Sequence, residues 1–359
     1  MRVLVAMSGG VDSSVAAALL VEELGRDRVV GATLKLWGGS SDSGCCSVAD
    51  VEDARRVADQ LGVVHHVFNF TAEFEARVVN PYIEGHAAGS TPNPCIECNR
   101  YLKFDRLFDR ARALGFDAVA TGHHARRTTT DAGRHRLVRG ADPGKDQSYV
   151  LAMLGQEQLA MSRFPIGRLT KAEVRQEAVR LGLRTAMKPD SQDVCFIRSD
   201  EGRDGFLGDR LPLHGGRLVD DATGEDLGPV PAVELVTVGQ RRGMGHGVDG
   251  RRRYVTAVDV PGRRVRIGTP EAANALEVEL HTVTWVDDDP TGVGGSPECS
   301  AIAQCSAHGR PVACTLRRGE TGRLAVTFAA AQRRIAPGQT VALYDPADPD
   351  AVIGSGIAA

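Results

Sequence analysis

Residues 7–14 read M-S-G-G-V-D-S-S, between the apolar run Val3-Leu4-Val5-Ala6 and the helix-forming stretch Val15-Ala16-Ala17-Ala18-Leu19-Leu20. A strand, a glycine pair and a helix start make an anion-binding loop. Glycine tolerates tight and left-handed turns, so the backbone can approach a phosphate closely, and the unpaired N–H groups that open the next helix point at it. Asp12 adds a hard oxygen donor of the kind Mg²⁺ prefers. The spacing G-x-x-x-x-G-K-[ST] and its lysine are absent, which disfavours a Walker-type enzyme that transfers a γ-phosphate.

The second constellation is sulfur. Thr91-Pro92-Asn93-Pro94-Cys95-Ile96-Glu97-Cys98-Asn99 holds a C-x-x-C pair, and a third cysteine, Cys195, lies far away in Asp190-Ser191-Gln192-Asp193-Val194-Cys195-Phe196. Two prolines predict a rigid loop for the first segment, neither helix nor central strand. The C-x-x-C spacing serves zinc, iron–sulfur clusters and redox thiols alike. A structural zinc would want a second pair, and Cys45-Cys46 are adjacent, which makes joint chelation of one tetrahedral ion awkward.

These residues need a scaffold, and the first half of the chain supplies one. Apolar runs alternate with amphipathic stretches: Val29 to Leu36, Val48 to Leu61, Val64 to Phe70, Leu102 to Leu114, Ala118 to Thr121. This alternation predicts an α/β domain with a parallel sheet covered by helices on both faces. Ligands of such sheets bind at the carboxyl ends of the strands, so the loop after Ala6, the segment around Leu34 and the Thr121-Gly122-His123 turn should surround one site. Near residue 200 the composition turns to Gly, Asp and Arg, and short strand-like runs with turn residues between them follow, as in a small β-barrel. The expected division is 1–200 as the nucleotide-binding catalytic domain, 201–272 as a small central domain and 273–359 as a C-terminal β-barrel.

Taken together, S-G-G-V-D-S-S, L-K-L-W, T-P-N-P-x-I-x-C-N, A-T-G-H-H, K-D-Q-S-Y, D-S-Q-x-x-C-F-I and V-G-Q-R-R-G-M-G resemble the bacterial tRNA-specific 2-thiouridylases, the MnmA family. The resemblance runs in order from Arg2 nearly to the C-terminus. Its first motif resembles the PP-loop of ATP pyrophosphatases, which hold the β,γ-pyrophosphate as a leaving group and adenylate their substrate. The resemblance implies an ATP- and Mg²⁺-using sulfurtransferase that replaces the C2 oxygen of the wobble uridine of tRNA with sulfur from a protein persulfide. It assigns Ala6, Met7, Ser8, Gly9, Gly10, Val11, Asp12, Ser13, Leu34 and Gly122 to ATP, Cys98 to the nucleophile beside the base and Cys195 to the persulfide acceptor. Asn93, Pro94 and Cys95 match the segment that meets the base, and Lys145, Asp146 and Gln147 match a tRNA-contacting segment. The implied partners are tRNA and a persulfide-donating sulfur carrier or cysteine desulfurase, with a Cys98–Cys195 disulfide as the spent state.

Two departures from the family pattern matter. Where many members carry Asp after N-P, assigned acid/base work, this chain has Cys95, with Glu97 as a possible substitute. The exchange creates a trio, Cys95, Cys98 and Cys195, that could ligate an iron–sulfur cluster, so a cluster-dependent thiolase stays open as an alternative. A stretch Gln304-Cys305-Ser306-Ala307-His308 stands where the family often has a basic aromatic tract. A PP-loop synthetase acting on a small molecule, or a tRNA-binding sensor without turnover, are the remaining rivals.

Bulk properties frame these readings. The chain has 359 residues, 42% hydrophobic and 25% charged, with a net charge of −3, ordinary for a globular protein and too acidic to coat nucleic acid wholesale. Between Arg241 and Arg266, however, eight arginines face only Asp249 and Asp259, a candidate phosphate-binding stretch. With no apolar run of membrane-spanning length and a strand right at the N-terminus, the protein is expected to be cytoplasmic, free of membranes and monomeric. Eight cysteines then read as thiols, ligands or catalysts, with Cys45, Cys46, Cys299, Cys305 and Cys314 unreactive.

Overall fold

The computed structural model describes residues 1–37, 48–190, 194–198, 200–247, 250–292, 297–319 and 322–359. In the first domain five strands, β1 (Val3–Ala6), β2 (Val29–Lys35), β3 (His65–Asn69), β4 (Ala118–Ala120) and, after a hairpin of β5 (Ala125–Thr129) and β6 (His135–Arg139), β7 (Ser162–Arg163), are present. β1, β2, β3, β4 and β7 form one parallel sheet in the order β3-β2-β1-β4-β7. β1 is central, and its side chains alternate between two cores. Val3 and Val5 pack with helix α1 (Val11–Leu24) and helix α2 (Val48–Leu61), while Leu4 joins the core of the opposite face with Leu102, Leu107 and Ala111. Burial on both faces explains why β1 reads as an unbroken apolar run.

From β1 the chain winds to β2 and β3 on one side and later to β4 and β7 on the other. The strand order therefore reverses between β1 and β4, which opens a crevice at their carboxyl ends. Two glycines shape its floor. Gly9 has φ +74, and a Cβ there would sit 2.2 Å from the Asp50 carbonyl oxygen. At Gly122, just past β4, a Cβ would sit 2.6 Å from the Ser13 amide nitrogen. The loop after β1, the start of α2 and the turn after β4 thus meet backbone to backbone.

The proline segment departs from the expected loop. Asn93 caps a helix, Pro94–Cys98, by accepting from the amides of Cys95 (3.1 Å) and Ile96 (3.3 Å). Pro94 occupies the first helical position, where its missing N–H costs nothing and its fixed φ suits a helix. The helix then runs on through a π-helical stretch, Asn99–Arg106, and Leu107–Ala113. Cys95 and Cys98 are consequently one turn apart on a rigid element rather than on a loop.

Residues Gly216–Asp220 (β8), Asp226–Val230 (β9), Tyr254–Asp259 (β10) and Arg264–Gly268 (β11) form a separate sheet in the order β10-β11-β8-β9 with its own small core of Val230, Val233, Val255, Val265 and Ile267. Six strands follow: β12 (Asn274–Trp285), β13 (Glu298–Gln304), β14 (Val312–Arg318), β15 (Leu324–Arg333), β16 (Thr340–Tyr344) and β17 (Ala351–Ala358). They close into an antiparallel barrel, because β12 pairs with both β15 and β17. The barrel is joined to the first domain directly. β6 pairs with β17 (Val138 with Ala351, Leu137 with Val352), the Tyr149 hydroxyl donates to the Thr340 carbonyl at 2.8 Å, and Arg139 lies 3.9 Å over the Tyr344 ring. The Thr91 amide also donates to the Pro337 carbonyl at 2.7 Å, which fixes the entry to the Pro94 helix against the barrel.

Gly9→Ala tests the crevice floor. The left-handed φ and the Asp50 contact predict a loss of about 2 kcal/mol or more in unfolding free energy together with loss of anion binding. Equilibrium denaturation measures it, and wild-type stability would contradict this packing.

Candidate active site

A cavity of about 310 Å³ lies in the crevice. Its lining includes Ala6, Met7, Ser8, Gly10, Val11, Asp12, Ser13, Leu34 and Gly122, nine of the ten residues expected to hold ATP; Gly9 lies between Ser8 and Gly10 in the same loop. Ser13 and Ser14 brace the turn. The Ser13 hydroxyl accepts from the Ser8 amide at 3.1 Å, and both hydroxyls donate to the Gly10 carbonyl, at 3.1 and 2.8 Å. Thr33 donates to the Met7 carbonyl at 2.7 Å, which leaves its oxygen to accept from His65 Nε2 at 2.9 Å.

The walls are cationic. Lys103, Lys145, Lys171 and Lys188 all line the cavity, with Asp12, Asp50 and Asp190 as their counter-charges. Lys171 Nζ is 2.8 Å from both Asp12 carboxylate oxygens and 2.8 Å from Asp190 Oδ1. Asp190 also accepts from Lys145 at 2.9 Å and Arg175 at 3.0 Å, and Lys188 bridges Asp50 and Asp53 at 2.7 Å each. Burial works against the charge of Asp190, but the hydrogen bonds from Lys171 and Lys145 outweigh it and hold its carboxyl at about 2. Asp12 is likewise held below the usual carboxylate range, burial being overcome by His124 and Lys171. Burial keeps the His123 ring neutral, and its Nδ1 is paired with Thr121 at 2.8 Å. His124 Nε2 lies 3.3 Å from Asp12 Oδ1, and its Nδ1 is buried without a hydrogen-bond partner among the described residues.

Lysines opposite a helix N-terminus make a cradle for a polyphosphate, and Gly9 and Gly122 allow the backbones of its floor to pack together where a side chain would clash. The residues fit ATP. Asp12 is an oxygen donor that could hold an accompanying Mg²⁺, which would neutralise phosphate charge. Sequence spacing gave no sign of Lys103, Lys171 or Lys188. Lys171 is 159 residues from Asp12 and reaches it because Thr170 caps the helix Lys171–Arg180 in a reciprocal pair with Glu173, setting Lys171 in the first turn beside the start of α1.

The sulfur residues lie beyond this cavity. Cys98 is buried and Cys195 half-buried against the same hydrophobic core, while Cys95 is exposed. The neighbour of Cys195 is fixed. Phe196 is buried against Phe206, Tyr82, Phe74 and Trp37 at centroid separations of 5.1, 5.6, 5.7 and 6.1 Å. Glu97, on the Pro94 helix, has its carboxyl pushed up by burial against the pull of Arg100 3.6 Å away. Among the described residues no three His, Cys, Asp or Glu side chains converge as a metal site. Cys45 and Cys46 lie outside the described residues. The barrel thiols have values pushed up by burial, to about 11 for Cys305 and about 12 for Cys314.

The segments matched to tRNA are held by the fold. Asn93 caps its helix, Pro94 is buried, and Lys145 and Gln147 line the cavity, Gln147 accepting from the His124 amide at 2.8 Å. Asp146 accepts from Arg139 (2.8 Å), the Gly140 amide (2.9 Å) and Ser148 (2.8 Å). The arginine stretch divides: Arg241, Arg242, Arg252, Arg263 and Arg264 are exposed, Arg251 pairs with Glu271 and Arg266 with Asp221, and Arg253 is buried.

A model of the family described as tRNA methyl transferase HUP domain matches residues 1–199, and one described as aminomethyltransferase beta-barrel domain matches 276–358. Curated relatives named tRNA-specific 2-thiouridylase MnmA match end to end. That of Mycobacteroides abscessus is 45% identical over 99% of this chain and 99% of its own length. That of Mycobacterium avium is 47% identical over 99% and 98%, and that of a Roseiflexus species 43% over 99% and 98%. The chain belongs to the tRNA-specific 2-thiouridylase family. The α/β domain followed by a closed barrel, expected from the MnmA-like motifs, is the architecture observed. No helix among the described residues is long and apolar enough to cross a membrane.

The ion-pair network sets a pH dependence. Asp190 falls from 3.8 in the unfolded chain to about 2 when folded, so its contribution to stability, about 2 kcal/mol, is fully present above pH 4 and is lost as the pH falls toward 2. Asp190→Asn should therefore be less stable than wild type at pH 6, with the gap closing by pH 2 in chemical denaturation. A gap that is constant with pH would contradict the network.

Proposed function

We propose that this protein carries out the ATP-dependent 2-thiolation of the wobble uridine of tRNA; its 43–47% identical relatives are named tRNA-specific 2-thiouridylases. The observation that carries the reading is the glycine-floored, lysine-walled cavity at the carboxyl ends of β1 and β4, whose Leu34 and Leu36 belong to the same core as Cys98 and Cys195. ATP is bound with its pyrophosphate end on Ser8–Ser13 and the lysines and with its adenosine toward Leu34 and Gly122.

The chemistry follows from what the uridine needs. Its C2 oxygen is a poor leaving group, so the oxygen takes the α-phosphate of ATP, pyrophosphate departs to the cationic cradle, and AMP becomes the group to be displaced. A persulfide on Cys195, loaded by a cysteine desulfurase or sulfur carrier, attacks C2 through its terminal sulfur. AMP leaves with the former C2 oxygen. Cys98 then attacks the Cys195 sulfur, the thiocarbonyl is released, and a Cys98–Cys195 disulfide forms that a thiol must reduce with two electrons before the next cycle. Half-buried Glu97, whose carboxyl burial pushes above the usual carboxylate range against the pull of Arg100, supplies the acid/base group that Cys95 does not. Asn93, Pro94 and Cys95 meet the base, the Lys145-Asp146-Gln147 segment borders the tRNA where it lines the cavity mouth, and the exposed arginines of 241–264 take backbone phosphates.

Purified protein given ATP, Mg²⁺, tRNA and a persulfide donor should release AMP and pyrophosphate and yield 2-thiouridine by nucleoside mass spectrometry. Asp12→Ala should lower that yield at least a hundredfold while leaving tRNA affinity within about threefold, whereas a small-molecule synthetase would release pyrophosphate without RNA.

Cys95 separates a two-thiol relay from a cluster, because a relay needs Cys98 and Cys195 alone and a cluster held by three thiolates needs all three. Cys95→Asp purified in air without iron should keep thiolation activity within about tenfold of wild type. Activity that instead depends on bound iron and is restored with inorganic sulfide would establish the cluster in place of the relay.

A further inference from the structure

The lysines of the cavity reach it from different faces of the sheet. Lys171 opens a helix whose Val174 and Ala178 share a core with α1, and Lys188 is held by Asp50 and Asp53 of α2, so both stand on the face that α1 and α2 cover. Lys103 comes from the other face. Leu102 and Phe104, on either side of it, are buried in the core that also takes Leu4, Ile96 and Cys98. Lys103 therefore belongs to the continuous helical run, residues 94–113, that carries Glu97 and Cys98. Its place is fixed. The Asn99 side chain donates to the Val150 carbonyl at 3.0 Å, and the Phe104 ring packs 5.3, 5.8 and 6.3 Å from Phe108, His123 and Phe164. The stretch Asn99–Arg106 is π-helical and closes its turns on the fifth residue, so Lys103 comes round toward the side of Cys98, from which an α-helix would turn it away. The Lys103 charge also reaches His123, where it adds to burial in keeping that ring neutral, and both line the cavity beside the turn after β4.

These positions divide the nucleotide. The start of α1, Lys171 and Lys188 face its pyrophosphate end, and the α-phosphate is the group that joins that end to the adenosine side at Gly122. The α-phosphate is also the group that must meet a uridine brought to the Pro94 helix. We propose that Lys103 is a catalytic residue whose ammonium group binds the α-phosphate and stabilises the charge that gathers on its non-bridging oxygens as the uridine oxygen attacks. The proposal rests on the assignment of the cavity to ATP and of the reaction to adenylation. In the step, the C2 oxygen forms a bond to the α-phosphorus, the bond from that phosphorus to the β-bridging oxygen breaks, and its electron pair leaves with pyrophosphate. The N3 proton shed by the uridine passes to the Glu97 carboxylate, and Lys103 keeps its own proton throughout. An interaction that strengthens in the transition state lowers kcat when it is removed and leaves ground-state affinity nearly unchanged.

The test is single-turnover formation of pyrophosphate by the full-length protein with Mg²⁺, tRNA and either ATP or the two diastereomers of adenosine 5′-O-(1-thiotriphosphate), in which sulfur replaces one non-bridging oxygen of the α-phosphate. Lys103→Met should lower the rate at saturating ATP about a hundredfold, while the half-saturating ATP concentration and the tRNA affinity stay within about threefold of wild type. Lys103→Arg, which keeps the charge, should recover at least about a tenth of the wild-type rate. The thio substitution gives a readout that a displaced helix would not move. Sulfur accepts hydrogen bonds poorly, so with wild type one diastereomer should react about tenfold more slowly than ATP, and with Lys103→Met it should react at the rate of ATP. A Lys103→Met protein that is slow but keeps the wild-type thio discrimination, or that loses affinity for ATP or tRNA at an unchanged saturating rate, would overturn the assignment of Lys103 and leave adenylation standing. Wild type that makes no pyrophosphate with tRNA present would overturn the adenylation reading and this assignment with it.

Discussion

One ammonium group, Lys171 Nζ, stands 2.8 Å from the carboxylates of both Asp12 and Asp190, and much of the site depends on that sharing. Asp12 belongs to the loop after the central strand, and Asp190 to the segment that leads to Cys195. Two carboxylates this close to each other would repel in a half-buried crevice, and two unpaired lysines would do the same. Interleaved, they offset one another across the cavity, and the lysines are the kind of donor that a phosphate oxygen would also accept from.

The remaining architecture serves to bring distant stretches to that point. The reversal of strand order between β1 and β4 makes the crevice, the glycines at 9 and 122 let three backbones meet on its floor, and the capping pair Thr170 and Glu173 aims Lys171 into it. The barrel contributes from outside. By pairing β17 with β6 and holding Thr91 through Pro337, it fixes the Pro94 helix, and with it Cys98, relative to the sheet. The π-helical stretch directly after Cys98 widens the turns there, a feature often retained at functional sites.

What the sequence disclosed was local. The phosphate loop could be read because strand, glycines and helix are consecutive, and the β-α-β alternation gave β1 to β4 and α2 almost to the residue. The helix at Pro94 was not foreseen, since two prolines in three residues suggest a loop until Asn93 is seen to cap and Pro94 to take the one helical position that suits it. Nothing in the Cys195 motif announced the anchoring of Phe196, because its partners Tyr82 and Phe206 lie on two other elements. Lys171 and Lys188 were invisible because their partners are 159, 138 and 135 residues away, and no period or motif connects them. Arg253 looked like its exposed neighbours in the arginine run, yet the chain buries it.

The central claim is that the uridine C2 oxygen is adenylated and leaves with AMP. It is tested most directly with tRNA carrying ¹⁸O at C2 of the wobble uridine, incubated with the protein, ATP, Mg²⁺ and a persulfide donor, with the released nucleotides analysed by mass spectrometry. The account predicts that the AMP formed carries the ¹⁸O, one label for each 2-thiouridine made, and that the pyrophosphate is unlabelled. Label recovered in inorganic phosphate with ADP as the nucleotide product, or in water with unlabelled AMP, would contradict it.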